Sequence, residues 1–278
     1  MWIGSHVSIR RGYKEAAVTA AGLGGTAFQY FPKNPRSLGV KPFDRADAER
    51  CASYCREKGI RSIGHSPYPC NLAAGDEAQR RRTVESLRND LEIAEACGSV
   101  GTVVHFGIYK GPDALAGYRN VIRSLDEVLE GWDGEARLLV ENQAGDHGAM
   151  GAAFEELAQV RSLSRYPEKV GFCLDTCHLF ASGVWNGETS AEWLDRVRAT
   201  GALQALAAVH LNESKYGSGS RRDRHAPVGR GMIGDEAIGW LLSIPEVRAV
   251  PIVLETPEEA GASHRDQIAA LRLLADDR

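Results

Sequence analysis

The chain has 278 residues, 43% of them hydrophobic and 25% charged, with a net charge of -4. That is enough chain to bury a large core without disulfides, as α/β barrels of roughly 200–250 residues or more do in one domain. The negative balance gives no global positive field, so any anionic partner must be held by local charge or by metal. The six cysteines (Cys51, Cys55, Cys70, Cys97, Cys173 and Cys177) form no C-x-x-C pair, which favours reduced thiols over a disulfide framework or a thiolate zinc site.

Taken in chain order, MWIGSHVSIRRG shows no basic start followed by an apolar stretch and a small-residue cleavage site. No signal peptide is expected there, and a cytoplasmic location is. No apolar run approaches the roughly 18 residues of a membrane span. WIGSHVS reads as the first strand and YKEAAVTAAG as the first helix. The strand candidates TAFQYF, RSIGHS, GTVVHFG, RLLVENQ, GFCLDTC, LAAVHLN and PIVLETP follow. Between them lie segments with apolar residues at three- and four-residue spacing, such as DRADAERCASYCREKG and YRNVIRSLDEVLEG. Gly59, Gly98 and Gly131 stand where helices end, and Ser263 is an N-cap for a last helix over SHRDQIAALRLLADD. Eight strand–helix repeats predict an α/β fold, a (β/α)8 barrel forming a single domain over residues 1–278. The rival, an open doubly wound sheet, lacks its usual glycine-rich phosphate signature after the first strand. The longest irregular stretch, residues 212–234, is long enough to be functional.

Six successive apolar runs stop at a residue able to bind metal: His65, His105, Glu141, Asp175, His210 and Glu255. In a parallel barrel these ends converge on one face, where such enzymes place their chemistry. His178 follows three residues after Asp175, and Asp223 and His225 sit two apart in a loop, their side chains on the same side. A single strand-end histidine is more often a satisfied polar residue, and a strand-end carboxylate often only caps a helix. Nine such residues in order make that explanation improbable. Imidazole with carboxylate suits catalytic Zn²⁺, Mn²⁺ or Fe²⁺, and nine donors are too many for one ion.

At this point the sequence strongly resembles the endonuclease IV family of apurinic/apyrimidinic endonucleases. The resemblance is carried by IGSHVS, TAFQYFPKNPR, HSPY with NLA, LLVENQAG, GFCLDTCHLFASG, HLNESK, DRH, VGRGMIG and PIVLETP, spread over nearly the whole chain. It implies three zinc ions per chain, with manganese or iron at some sites. His65, His105 and Glu141 would hold the first ion. Glu141 would bridge to a second, also held by Asp175, His210 and Glu255. His178, Asp223 and His225 would hold the third. A metal-bound hydroxide would then attack the phosphodiester 5′ to an abasic site, leaving a 3′ hydroxyl and a 5′ deoxyribose phosphate, with Glu141 and Glu255 as catalytic carboxylates. Trimming of blocked 3′ ends is also implied.

The implied partner is double-stranded DNA bearing abasic or 3′-blocked lesions, bound by a monomer with no membrane involved. Arg36, Tyr68, Pro69 and Asn71 occupy the loops that meet DNA in relatives. Lys33, Lys215, Arg221, Arg222 and Arg224 are expected to meet phosphates. His6 is expected beside the ions, in contact with their ligands or with phosphate. Arg80, Arg81 and Arg82 are expected on a solvated helix face, and His147 and His264 on the surface. The chain departs from the usual pattern at HFG, NQAG, Pro69 and Ala226-Pro227, which bears on DNA bending and lesion preference. Two rivals remain. One is a single-metal sugar isomerase or epimerase using Glu141, Asp175, His210 and Glu255. The other is a non-catalytic metal or nucleic-acid binding protein. The five further donors argue against the first, and the absence of thiolate ligands argues against the second.

Overall fold

The structure, a computed structural model, describes residues 1–276. Eight parallel strands close into a barrel: β1 (Trp2–His6), β2 (Ala27–Tyr30), β3 (Arg61–His65), β4 (Gly101–His105), β5 (Arg137–Glu141), β6 (Val170–Asp175), β7 (Leu206–His210) and β10 (Pro251–Leu254). A two-residue antiparallel pair, β8 (Glu213–Ser214) with β9 (His225–Ala226), lies outside it. The helices relevant here are α1 (Tyr13–Gly22), α2 (Arg45–Lys58), α3 (Glu77–Ala96), α4 (Ala114–Leu129), α5 (Phe154–Leu163), α6 (Thr176–Ser182), α7 (Ala191–Ala199), α8 (Asp235–Ser243), α9 (Pro245–Arg248) and α10 (His264–Asp276). None is long and apolar enough to cross a membrane among the described residues.

All eight strand runs form, and the helix signals act as expected. Gly59 closes α2 in the left-handed conformation, with φ 65°. At the start of α10 the Asp266 carboxylate accepts the Ser263 N–H and the Ser263 hydroxyl accepts the Asp266 N–H. Two expectations fail. Residues 212–234 are not simply irregular, because pairing of Ser214 with His225 pins the loop across its middle. Arg80 is not solvated: it is buried, with its guanidinium 3.2 Å from Glu127 on α4. Its aliphatic stem packs between helices while the charge finds a partner.

Inside the barrel, Ala27, Ile63, Val103, Leu139, Cys173, Ala208 and Val253 belong to one small buried cluster. A larger cluster joins the outer strand faces to the helices. Alternation along a strand returns a side chain to the same face every second residue. The residues two positions on are Gln29, His65, His105, Glu141, Asp175, His210 and Glu255. An apolar layer thus carries a polar layer directly above it.

β1 meets the same wall closely at Gly4, where an added Cβ would overlap the Ala27 carbonyl of β2. Gly4→Ala is therefore expected to destabilise the barrel by about 1–3 kcal/mol or more. Thermal unfolding checks this, and an unchanged melting temperature would contradict it.

Candidate metal centre

The polar layer and two neighbouring segments bring all nine predicted donors together. Three sets have donor atoms within 4.8 Å of one another: His65, His105 and Glu141; Glu141, Asp175, His210 and Glu255; and His178, Asp223 and His225. Glu141 belongs to two sets. Its Oε2 lies 3.2 Å from His105 Nε2 and 3.6 Å from His65 Nε2, and its Oε1 lies 2.8 Å from His210 Nδ1. In the third set, the two Asp223 oxygens lie 3.3 Å from His178 Nε2 and 3.2 Å from His225 Nε2. Donors around a tetrahedral ion with bonds of about 2.0–2.2 Å stand roughly 3.3 Å apart, so these spacings suit a transition metal.

Local structure explains the placement. Barrel register pairs His105 with Glu141 and Asp175 with His210. Asp175 also caps α6, its Oδ1 accepting from the His178 N–H at 2.7 Å. The cap orients the helix that carries His178, and leaves Oδ2 to face His225 at 3.7 Å. Asp223 and His225 are brought in by the β8–β9 pair.

Two buried side-chain atoms in these sets have no hydrogen-bond partner: Glu141 Oε2 and His225 Nε2. Buried polar atoms are rarely left unpaired, and a metal would supply the missing bond to each. A fourth grouping adds Cys177 to Asp175 and His225. The Cys177 sulfur contacts the Arg224 carbonyl at 3.8 Å, and burial pushes the thiol up, which leaves it protonated and a poor ligand.

The electrostatics of the nine are tightly balanced. Burial alone would raise Glu141, but the imidazoliums of His210 and His105 hold it well below the usual carboxylate range. Burial likewise opposes ionisation of Glu255, and His210 and His65 bring it down to about 2. Asp223 is depressed against its burial by the His178 and His225 imidazoles beside it. His178 is raised well above its ordinary value despite burial, chiefly by Asp175 and then Asp223. Burial opposes protonation of His225, but the adjacent Asp223 and Asp175 carboxylates push it up to about 9. Asp175 is raised by burial. Protons on imidazoles thus supply the positive charge that the carboxylates require.

Sequence reasoning passed over several residues at the centre. Gln29 donates to Glu255 Oε1 (2.5 Å) and to His6 Nδ1 (3.2 Å), and its Oε1 lies 2.6 Å from His210 Nε2. Its signal was available, since it follows Ala27 by two on β2. Asn212 donates to Asp175 Oδ2 (2.6 Å) and accepts from the Glu255 N–H (2.8 Å). Asn142 accepts from the Asp175 N–H, and its carbonyl lies 2.8 Å from His178 Nδ1. Glu213 accepts the N–H groups of Ile233 and Gly234, fixing the loop that precedes α8. His6 does stand beside the ligands, through Gln29, and burial lowers it to about 4, so it is neutral.

The surrounding loops divide the predicted DNA contacts. Tyr68 is 62% exposed, and its ring stands edge-on to Phe31, which in turn stands edge-on to His65. Tyr68, Pro69 and Asn71 line a cavity of about 410 Å³ together with His105, His178 and Asp223. The Asn71 side chain is occupied within the protein, bonding both the N–H and the C=O of Ile108. Arg36, Lys215, Arg221, Arg222 and Arg224 are exposed. Arg222 lies over the Tyr216 ring, and Arg221 takes a left-handed backbone, with φ 54°. Lys33 contradicts the expectation of a phosphate contact. It is buried and bonds Asp90 Oδ1 at 2.6 Å, because its loop folds down onto α3. His147 is exposed as expected, yet it lines the same cavity as three of the ligands.

The family model described as a xylose isomerase-like TIM barrel matches residues 18–275. A protein of Symbiobacterium thermophilum named probable endonuclease 4 is 40% identical over 99% of both chains. The chain belongs to the endonuclease IV family. The solved endonuclease IV of Thermus thermophilus superposes with a TM-score of 0.88 at 32% identity, over the full length of both chains. A 3-keto-D-glucoside 4-epimerase of E. coli shares the fold, with a TM-score of 0.68 over 98% of this chain and 99% of the other, at 17% identity.

The imidazole protons predict a pH dependence for the metal-free protein. His225, raised from 6.5 to about 9 in the folded state, contributes stability that is fully present below 6.5 and lost as pH rises through about 9. Thermal unfolding of the chelated protein should show the melting temperature falling by a few degrees between pH 6.5 and 9.5, a slope that metal loading removes. A flat profile without metal would contradict this charge balance.

Proposed function

We propose that the chain is a metal-dependent DNA repair endonuclease. It hydrolyses the phosphodiester on the 5′ side of an abasic site in duplex DNA, leaving a 3′ hydroxyl and a 5′ deoxyribose phosphate. It also trims blocked 3′ ends, and it acts as a monomer. The observation that carries this reading is the convergence of nine imidazole and carboxylate donors into three adjoining sets, with Glu141 common to two of them.

His65, His105 and Glu141 would hold one ion; Glu141, Asp175, His210 and Glu255 a second; and His178, Asp223 and His225 a third. Zinc is the first choice, with manganese or iron at some sites. Divalent ions there would activate water near neutral pH and offset the charge of a phosphodiester. The chain's own groups do the rest. Gln29 and Asn212 orient Glu255, and Asn142 and Asn212 hold Asp175. The exposed Tyr68 ring, braced by Phe31, is suited to fill the space of a missing base. Arg36, Lys215, Arg221, Arg222 and Arg224 would meet phosphates. An abasic nucleotide leaves the stack at low cost because it has no base to unpair.

The sugar-isomerase reading needs only the four-residue set around Glu141 and Glu255. It leaves the buried, unpartnered His225 Nε2 and the adjoining His178 and Asp223 without a purpose.

The test uses a duplex with one stable abasic analogue and protein of known metal content. Incision should appear 5′ to the lesion and fall by about 100-fold or more in Asp175→Asn and in His225→Ala. No incision by a protein carrying three ions would overturn the reading.

A further inference from the structure

The connection between β2 and α2, residues 31–44, has no regular secondary structure and carries Arg36 exposed on its outer part. It walls a groove of about 880 Å³ that starts at His6, beside the ligands, and is lined by Arg10 and Lys41 with no carboxylate among its lining residues. Two sites on α3 clamp this loop. Near its start, the buried Lys33 ammonium donates to Asp90 Oδ1 at 2.6 Å and to the Ser86 carbonyl at 2.7 Å. Near its end, Asn89 brackets Lys41, accepting its N–H at 2.8 Å and donating to its carbonyl at 3.2 Å. The Tyr68 N–H donates to the Pro35 carbonyl at 2.9 Å, so the turn bearing Tyr68 is tied to the same segment. Between the clamps, the Arg36, Ser37 and Gly39 N–H groups bond only to the loop's own Asn34 and Ser37.

The Lys33–Asp90 pair is a poor device for stability. Both side chains are almost fully buried, and Asp90 Oδ2 has no hydrogen-bond partner. A well-packed apolar pair of the same volume is often as stable as a buried ion pair or more so. What the pair does impose is position, because one ammonium must meet two fixed oxygens on α3.

We propose that Lys33, Asn89 and Asp90 are positioning residues that hold the Arg36 loop, and with it the Tyr68 turn, in the arrangement that meets DNA. This rests on the DNA repair reading above. The clamp itself is testable apart from it.

The experiment compares wild type with the double variant Lys33→Met/Asp90→Leu, each with and without Arg36→Ala. The double variant should melt within a few degrees of wild type, while amides of residues 34–40 exchange with solvent markedly faster. On the abasic duplex its KM should rise on the order of tenfold or more with kcat nearly unchanged. Arg36→Ala should raise KM in wild type and add little in the double variant. Asn89→Ala, which breaks the other clamp, should show the same loosening and KM shift, and it decides the matter if the double variant does not fold. Unchanged exchange of residues 34–40 would overturn the clamp. A loosened loop with unchanged KM, or a fall in kcat that tracks lost stability, would overturn the positioning role. Loosened exchange alongside a wild type that incises no abasic duplex would sink the DNA reading while leaving the mechanical clamp standing.

Discussion

Everything at the centre depends on one constraint: in a closed parallel barrel, a side chain returns to the interior every second residue. Seven strands here share the same phase at their C-terminal ends. The interior residues Ala27, Ile63, Val103, Leu139, Cys173, Ala208 and Val253 each stand two positions before a polar residue of the layer above. The apolar layer supplies the burial that holds the barrel closed, and its phase aims the polar layer at a common point. A slip of one residue in any strand would turn its candidate ligand toward the helices and expose an apolar group at the mouth.

Such a layer is costly without compensation, because buried carboxylates are stable only when paired or bound to metal. The chain meets this in two ways. Amide side chains contributed by neighbouring strand ends hold the carboxylates in place: Gln29 and Asn212 bond the carboxylates of Glu255 and Asp175, and Asn142 bonds the Asp175 backbone N–H. Shared protons on His178, His210 and His225 supply the positive charge. Two atoms still lack partners, Glu141 Oε2 and His225 Nε2. The polar network therefore orients the donors but does not saturate them, which is what a metal centre requires of its surroundings. Asp175 joins the two jobs, capping α6 with one oxygen and presenting the other to His225.

The barrel and the donors were legible in the sequence because both follow from short-range regularities: apolar runs, their spacing, and the residue at each strand end. What was not legible depends on distant partners. Lys33 reads as a surface cation in KNPR, and only Asp90, 57 residues away, makes it internal. Arg80 lies in a run of three arginines, and Glu127 on α4 buries it. Asn212 and Glu213 lie in the same HLNESK stretch as His210, but their partners come from Glu255, just past β10, and from the loop before α8. Gln29 is different: the two-residue alternation that singled out the ligands passes through it, and amide side chains were not counted as candidates.

The central claim is that the nine donors form one centre for three ions. Crystals grown with zinc and measured on either side of its absorption edge address it directly. The account predicts three anomalous peaks, one within each donor set, with Glu141 between the first two. A single peak among Glu141, Asp175, His210 and Glu255, with none at His178, Asp223 and His225, would contradict it.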